Sequence, residues 1–140
     1  MSTKTTLTAM VAAIKTLVES IAALHVYDHE PAVIPNYPAA CVTVDSFSVK
    51  TASYPQEDVK PQIKIIIFYR NQGTAEVDCR NTAASIIDLL QADGYLSGTA
   101  QDSGLGSGGF TADCGRYNKG NETLQAAFVI FTPSQRQSIP

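Results

Sequence analysis

The sequence predicts an α+β domain: a mostly antiparallel sheet of about four to five strands with two helices packed on one face, in the order α-β-β-α-β-β. Three observations lead there. Residues 62–70, Gln-Ile-Lys-Ile-Ile-Ile-Phe-Tyr-Arg, carry apolar side chains at both parities. Ile63, Ile65, Ile67 and Tyr69 share one face and Ile66 and Phe68 the other, as in a central strand covered on both sides. Two stretches, 5–24 and 74–92, repeat apolar residues at three- and four-residue spacing, which marks one-sided helices. Such helices must cover a surface, and the sheet is the one available.

The bulk numbers agree with one domain, residues 1–132, followed by a polar tail, 133–140. The chain has 140 residues, enough for a core without staples, with 44% hydrophobic and only 16% charged residues. Charge scarcity hints at surface that meets other proteins. A net charge of −3 without a basic stripe disfavours phosphate-backbone binding. No apolar run approaches the ~20 residues that span a bilayer. The first residues lack the compact apolar core of a signal peptide, so a soluble protein made in a cytoplasm is expected. Cys41, Cys79 and Cys114 are scattered and form no CxxC; each sits in a segment that reads as buried or half-buried, where a small hydrophobe is its role.

In chain order, helix 5–24 presents Leu7, Met10, Val11, Ile14, Leu17, Val18, Ile21 and Leu24 on one side, with Thr5 or Thr6 as cap. Residues 25–38 hold Pro31, Pro35 and Pro38 and form a stiff connection, with a short extended piece at Val26-Tyr27. Residues 41–50 read as a strand whose apolar parity changes between Val42/Val44 and Phe47/Val49, which predicts a bulge near Asp45-Ser46 or apolar cover on both faces. The polar connection 51–61 is either a protruding hairpin arm or a flexible loop. Tyr54 is its natural anchor for a partner. After the central strand, Asn71-Gln72-Gly73 is turn chemistry. Helix 74–92 starts at Gly73 or Thr74 with Glu76 and Asp78 in its first turn and ends at Asp93-Gly94. Six glycines between Gly94 and Gly109 predict a mobile loop. Residues 110–117 and 122–132 form a closing hairpin around a turn at 118–121. The tail after Pro133 is expected to be disordered unless a partner holds it.

No constellation of catalytic residues accompanies this scaffold, and no enzyme activity, cofactor or metal is expected. His25, Asp28 and His29 are the only candidate metal cluster; the proline-rich run after them breaks the helix that would align the two histidines, and no third ligand stands at a telling spacing. The Gly104-Leu-Gly106-Ser-Gly108-Gly109 stretch precedes a strand, whereas a phosphate loop follows a strand and opens a helix. No Gly-x-Ser-x-Gly elbow is present.

The order of elements carries a resemblance. An amphipathic helix leads into a proline-broken segment, with Tyr37-Pro38-Ala39-Ala40 just before the first long strand. A polar connection containing Asp58, a strongly apolar strand, a helix ending in Leu89-Leu90, a glycine-rich loop and a closing hairpin follow. Over nearly its whole length the chain resembles the tail terminator, or tail completion, proteins of tailed bacteriophages, including the minor tail protein U group of lambda-like phages. The resemblance implies a non-enzymatic virion protein, assembled in the host cytoplasm. It implies a homo-oligomeric ring, usually a hexamer, at the head-proximal end of the tail tube. Such a ring ends tube polymerisation and joins tail to head. Its implied partners are further copies of itself, the tail tube protein and the head–tail connector or neck proteins; DNA passes through the lumen without specific binding, and no membrane is involved. It implies that the 51–61 arm, through Tyr54, Gln56, Glu57 and Asp58, and a mobile loop at 98–109 make ring or partner contacts. Other readings remain: another neck or tail component such as a head-completion or tail tube protein, a small hydrolase or ligand-binding domain, and a non-viral α+β binding domain.

Overall fold

A computed structural model of the chain describes residues 2–21, 24–93, 96 and 109–139. In chain order the elements are α1 (Thr3–Glu19), β1 (His25–Tyr27), β2 (Ala39–Ser53), β3 (Gln56–Arg70), α2 (Ala75–Ala92), β4 (Thr111–Lys119), β5 (Glu122–Phe131) and β6 (Gln135–Ser138). The class is α+β, as the sequence predicts, but the sheet has six strands rather than four to five. The additions are β1, three residues long, and β6, whose four polar residues give no apolar alternation to read.

The strands lie in the order β1-β2-β3-β5-β4, with β6 also on β3. β1 runs parallel to β2; every other pair is antiparallel. β3 is therefore central. Ile63, Ile65 and Ile67 face the helices and pack with Met10, Ile14 and Val18 of α1 and Cys79, Ala83, Ile86 and Leu90 of α2. Ile66 and Phe68 face the other way, against Ala39, Cys41, Leu124 and Ala126. That second face is covered by the proline-rich connection, which brings Ile34 onto it. Two polar ties fasten the connection to the β4–β5 hairpin: Lys119 Nζ to Glu30 at 2.7 Å, and the Tyr37 hydroxyl donating to Glu122 at 3.2 Å.

α1 begins earlier than expected. Ser2, rather than Thr5 or Thr6, caps it by accepting the Thr5 N–H at 3.2 Å. This frees Thr6 to join the buried i, i+4 stripe with Met10, Ile14 and Val18. α1 ends at Glu19, short of the expected residue 24, and the Ser20 hydroxyl takes the Leu17 carbonyl. α2 follows the expected bounds within a residue; the Thr74 hydroxyl bonds to Asp78 rather than to the backbone. The expected glycine-rich loop at 95–109 lies outside the described residues except for Leu96 and Gly109.

The parity change in β2 is a bulge at Asp45: Val44 faces Ile63, but Ser46 faces Gln62. The bulge resets the alternation, so Phe47 and Val49, opposite Pro61 and Val59, lie on the same sheet face as Val42 and Val44.

Replacing Ile65, which is wholly buried, by Ala should cost about 2–4 kcal/mol. Urea unfolding should show this as a lower midpoint at unchanged slope.

Candidate functional site: the hairpin arm and its brace

Beyond the Asp45 bulge the β2–β3 pair continues to Ser53 and Gln56, which flank a two-residue turn at Tyr54-Pro55. The connection 51–61 is thus a hairpin arm rather than a loop, and the arm begins before it, at the bulge. At ~3.3 Å per residue, the eight residues 46–53 reach about 25 Å from the bulge. Every residue of that run is exposed, Phe47 by 55%, and Tyr54 in the turn beyond it is 84% exposed.

An isolated two-stranded ribbon is marginal in water. A third strand supports this one. β6 pairs with β3 from Gln56↔Ser138 to Val59↔Gln135, in the register that β5 begins with Ile63↔Phe131. In the gap between β5 and β6, Pro61 falls opposite Pro133. Neither proline has an N–H to give, which explains why one strand is read as two. Residues 135–138, expected to be part of a disordered tail, form this brace because β3 offers a free edge and matched side chains. Arg136 grips Asp58 through both oxygens, Nε to Oδ1 at 2.9 Å and a second guanidinium nitrogen to Oδ2 at 3.3 Å. Gln137 Nε2 donates to Glu57 Oε1 at 2.6 Å, and the Thr6 hydroxyl of α1 donates to Gln137 Oε1. Thr6 and Gln137 are buried. The Ile139 N–H reaches the Pro55 carbonyl at 2.7 Å.

The four residues expected to contact partners therefore divide. Tyr54 and Gln56 point into solvent at the tip. Glu57 and Asp58 are engaged within the chain by Gln137 and Arg136. Sequence reasoning missed Thr6, Arg136 and Gln137; the single available signal was a basic residue in the tail that matches an acidic one in the arm. The hydrogen bond from Arg136 holds the Asp58 carboxyl below its ordinary value of 3.8, against a smaller opposing effect of burial, and Asp58 in turn raises Arg136.

Beside the arm's root, Leu7, Val11, Ala12 and Val44, with Lys15 and Asp28 at the margin, line a groove of about 500 Å³ between α1 and β2. The His25–Asp28–His29 cluster does not converge. His25 is exposed on β1, and His29 Nδ1 bonds locally to Asp28 Oδ1 at 2.9 Å. Among the described residues no group of three His, Cys, Asp or Glu side chains is placed to hold a metal. Among them also, no helix is long and apolar enough to cross a membrane. Cys41 and Cys79 are buried, and burial pushes both thiols up to about 12. Cys114 departs from the expectation of burial: it is exposed on the edge strand β4. No protein-family model matches the chain, and no curated protein matches it in sequence.

Two outcomes follow from this geometry. An aromatic disulfide reagent should titrate one thiol quickly in the native protein, Cys114, and the other two only on unfolding, read by absorbance. The Asp58 carboxylate's contribution to the brace should be complete above its ordinary value of 3.8 and vanish as pH falls through the lowered folded value. Amide protection at 56–59 and 135–138, taken relative to the intrinsic exchange rate at each pH, should therefore fall below about pH 4, and Arg136→Ala should abolish that pH step.

Proposed function

We propose that the chain is a structural virion protein that forms a ring at the head-proximal end of a phage tail tube, where it ends polymerisation and joins the tail to the head. The observation that carries this reading is the braced arm. The protein spends a third strand and a partly buried Thr6–Gln137–Glu57 chain on holding out a hairpin whose tip, Tyr54, is 84% exposed. A stiff arm with an aromatic tip suits a contact with another subunit or with the tube. The order of elements, from the helix through Tyr37-Pro38 to the closing hairpin, supports the same reading through the resemblance to tail terminators. The partners are further copies of the chain, the tube protein and the connector proteins. With a net charge of −3, the lumen would pass DNA without holding it.

Identical subunits close into a ring only through heterologous contacts related by rotation. Among the described residues, the open edges of β2 beyond residue 41 and of β4 are different surfaces and meet that requirement.

The test adds purified protein to a polymerising tail tube and follows tube length and head joining by electron microscopy. Tubes should stop at a defined length, carry one ring and attach to heads; shortening the arm by removing 51–56 should abolish all three. Tubes that grow and join unchanged would sink the proposal. Long cylinders of the protein itself would instead identify a tube subunit.

A further inference from the structure

Resting on that ring reading, we infer that neighbouring copies join by antiparallel pairing of the outer edge of β2 in one copy with the edge of β4 in the next, with Lys50 opposite Asp113.

Strand direction permits this pairing. β2 is antiparallel to β3, β3 to β5, and β5 to β4, so β2 and β4 run in opposite senses. Copies placed side by side with their sheets facing the same way therefore bring an antiparallel pair of edges together. Among the described residues both edges are open: β1 covers β2 only at 39–41, and β4 has β5 as its one neighbour. Neither 42–53 nor 111–119 contains a proline, so no residue of either edge lacks the N–H a ladder needs, and β2 runs without a register shift from Ser46 to Thr51.

Side-chain faces then restrict the register. On β4, Cys114 lies opposite Ala127 and so on the helix side, as does Arg116. On β2, the bulge puts Phe47 and Val49 on that side. Even-numbered residues of β4 must therefore meet odd-numbered residues of β2.

The backbone phase imposes the same parity independently. Lys119 and Glu122 flank a two-residue turn whose Gly120 takes φ +61°. Such a flanking pair exchanges both backbone hydrogen bonds, so the even-numbered residues of β4 turn their N–H and C=O outward. The His25 N–H bonds to the Pro38 carbonyl, so even-numbered residues of β2 face outward before the bulge, and odd-numbered ones from there to Thr51, where a second register shift follows.

Charge selects one register among those left. With Lys50 opposite Asp113, Val49 meets Cys114 and Phe47 meets Arg116. An ion pair, an apolar pair and a cation over an aromatic ring result. Neither Lys50 nor Asp113 has an ion-pair partner among the described residues. Phe47, 55% exposed, and Val49, 39% exposed, would be covered in the same step.

The experiment mixes copies labelled with light and heavy nitrogen, lets them assemble, and treats them with a carbodiimide that joins Lys amines to carboxylates. Mass spectrometry should find isotopically mixed peptides linking Lys50 to Asp113. Lys50→Asp and Asp113→Lys should each weaken self-association about fivefold, and the double variant should restore it. Assemblies whose mixed cross-links join other residues, or whose two charge reversals do not compensate, would overturn the pairing and leave the ring reading standing. Protein that stays monomeric at millimolar concentration and on tube ends would overturn both.

Discussion

A central strand must have a partner along both edges, and meeting that condition over all of β3 shapes the rest of the molecule. From Ile63 to Arg70 the partners are β2 and β5, and apolar layers cover both faces. From Gln56 to Val59 no core remains on the sheet's second face, so pairing and polar side chains must hold the strand. There β6 replaces β5 in the same register. The hydrophobic term supports one half of the strand and hydrogen bonds support the other. The two halves meet at Pro61, where the ladder toward β5 and β6 is interrupted while Phe47 of β2 stays opposite.

The bulge at Asp45 answers a second constraint. A strand that left the core without it would turn Phe47 and Val49 to the face away from the helices. The extra residue keeps Phe47 and Val49 on the helix face that Ala40, Val42 and Val44 share, where they lie opposite Pro61 and the buried Val59. The unbroken alternation of β3 puts Glu57 and its partner Gln137 on that same face, within reach of Thr6 of α1.

What was legible in the sequence follows from which forces act where. The central strand, both helices, the closing hairpin and the bulge announce themselves through apolar periodicity, because apolar burial holds them. The bulge is visible for the same reason: Val42 and Val44 disagree in parity with Phe47 and Val49. The brace leaves no such trace. Gln135, Arg136, Gln137 and Ser138 are held by pairing and by partners as distant as Thr6, and polar residues look alike whether they face water or each other. Asp58 and Glu57 read as free contact residues for the same reason. Cys114 misled in the opposite direction, since a strand at a sheet edge need not bury what its composition suggests.

The arm is drawn from places far apart in the chain. Its hairpin closes across the two residues of the Tyr54-Pro55 turn, whereas the grip of Arg136 on Asp58 spans 78 residues and that of Gln137 on Thr6 spans 131. Loop-closure entropy sets an order on such contacts, with local pairs first and the most distant last. The hairpin can zip on its own, but its far edge stays bare until the sheet is whole and β5 has delivered the segment that follows it. Rigidity of the arm is then a readout of completed folding: a half-folded copy has a loose arm, and only a finished one can present Tyr54 in a fixed place.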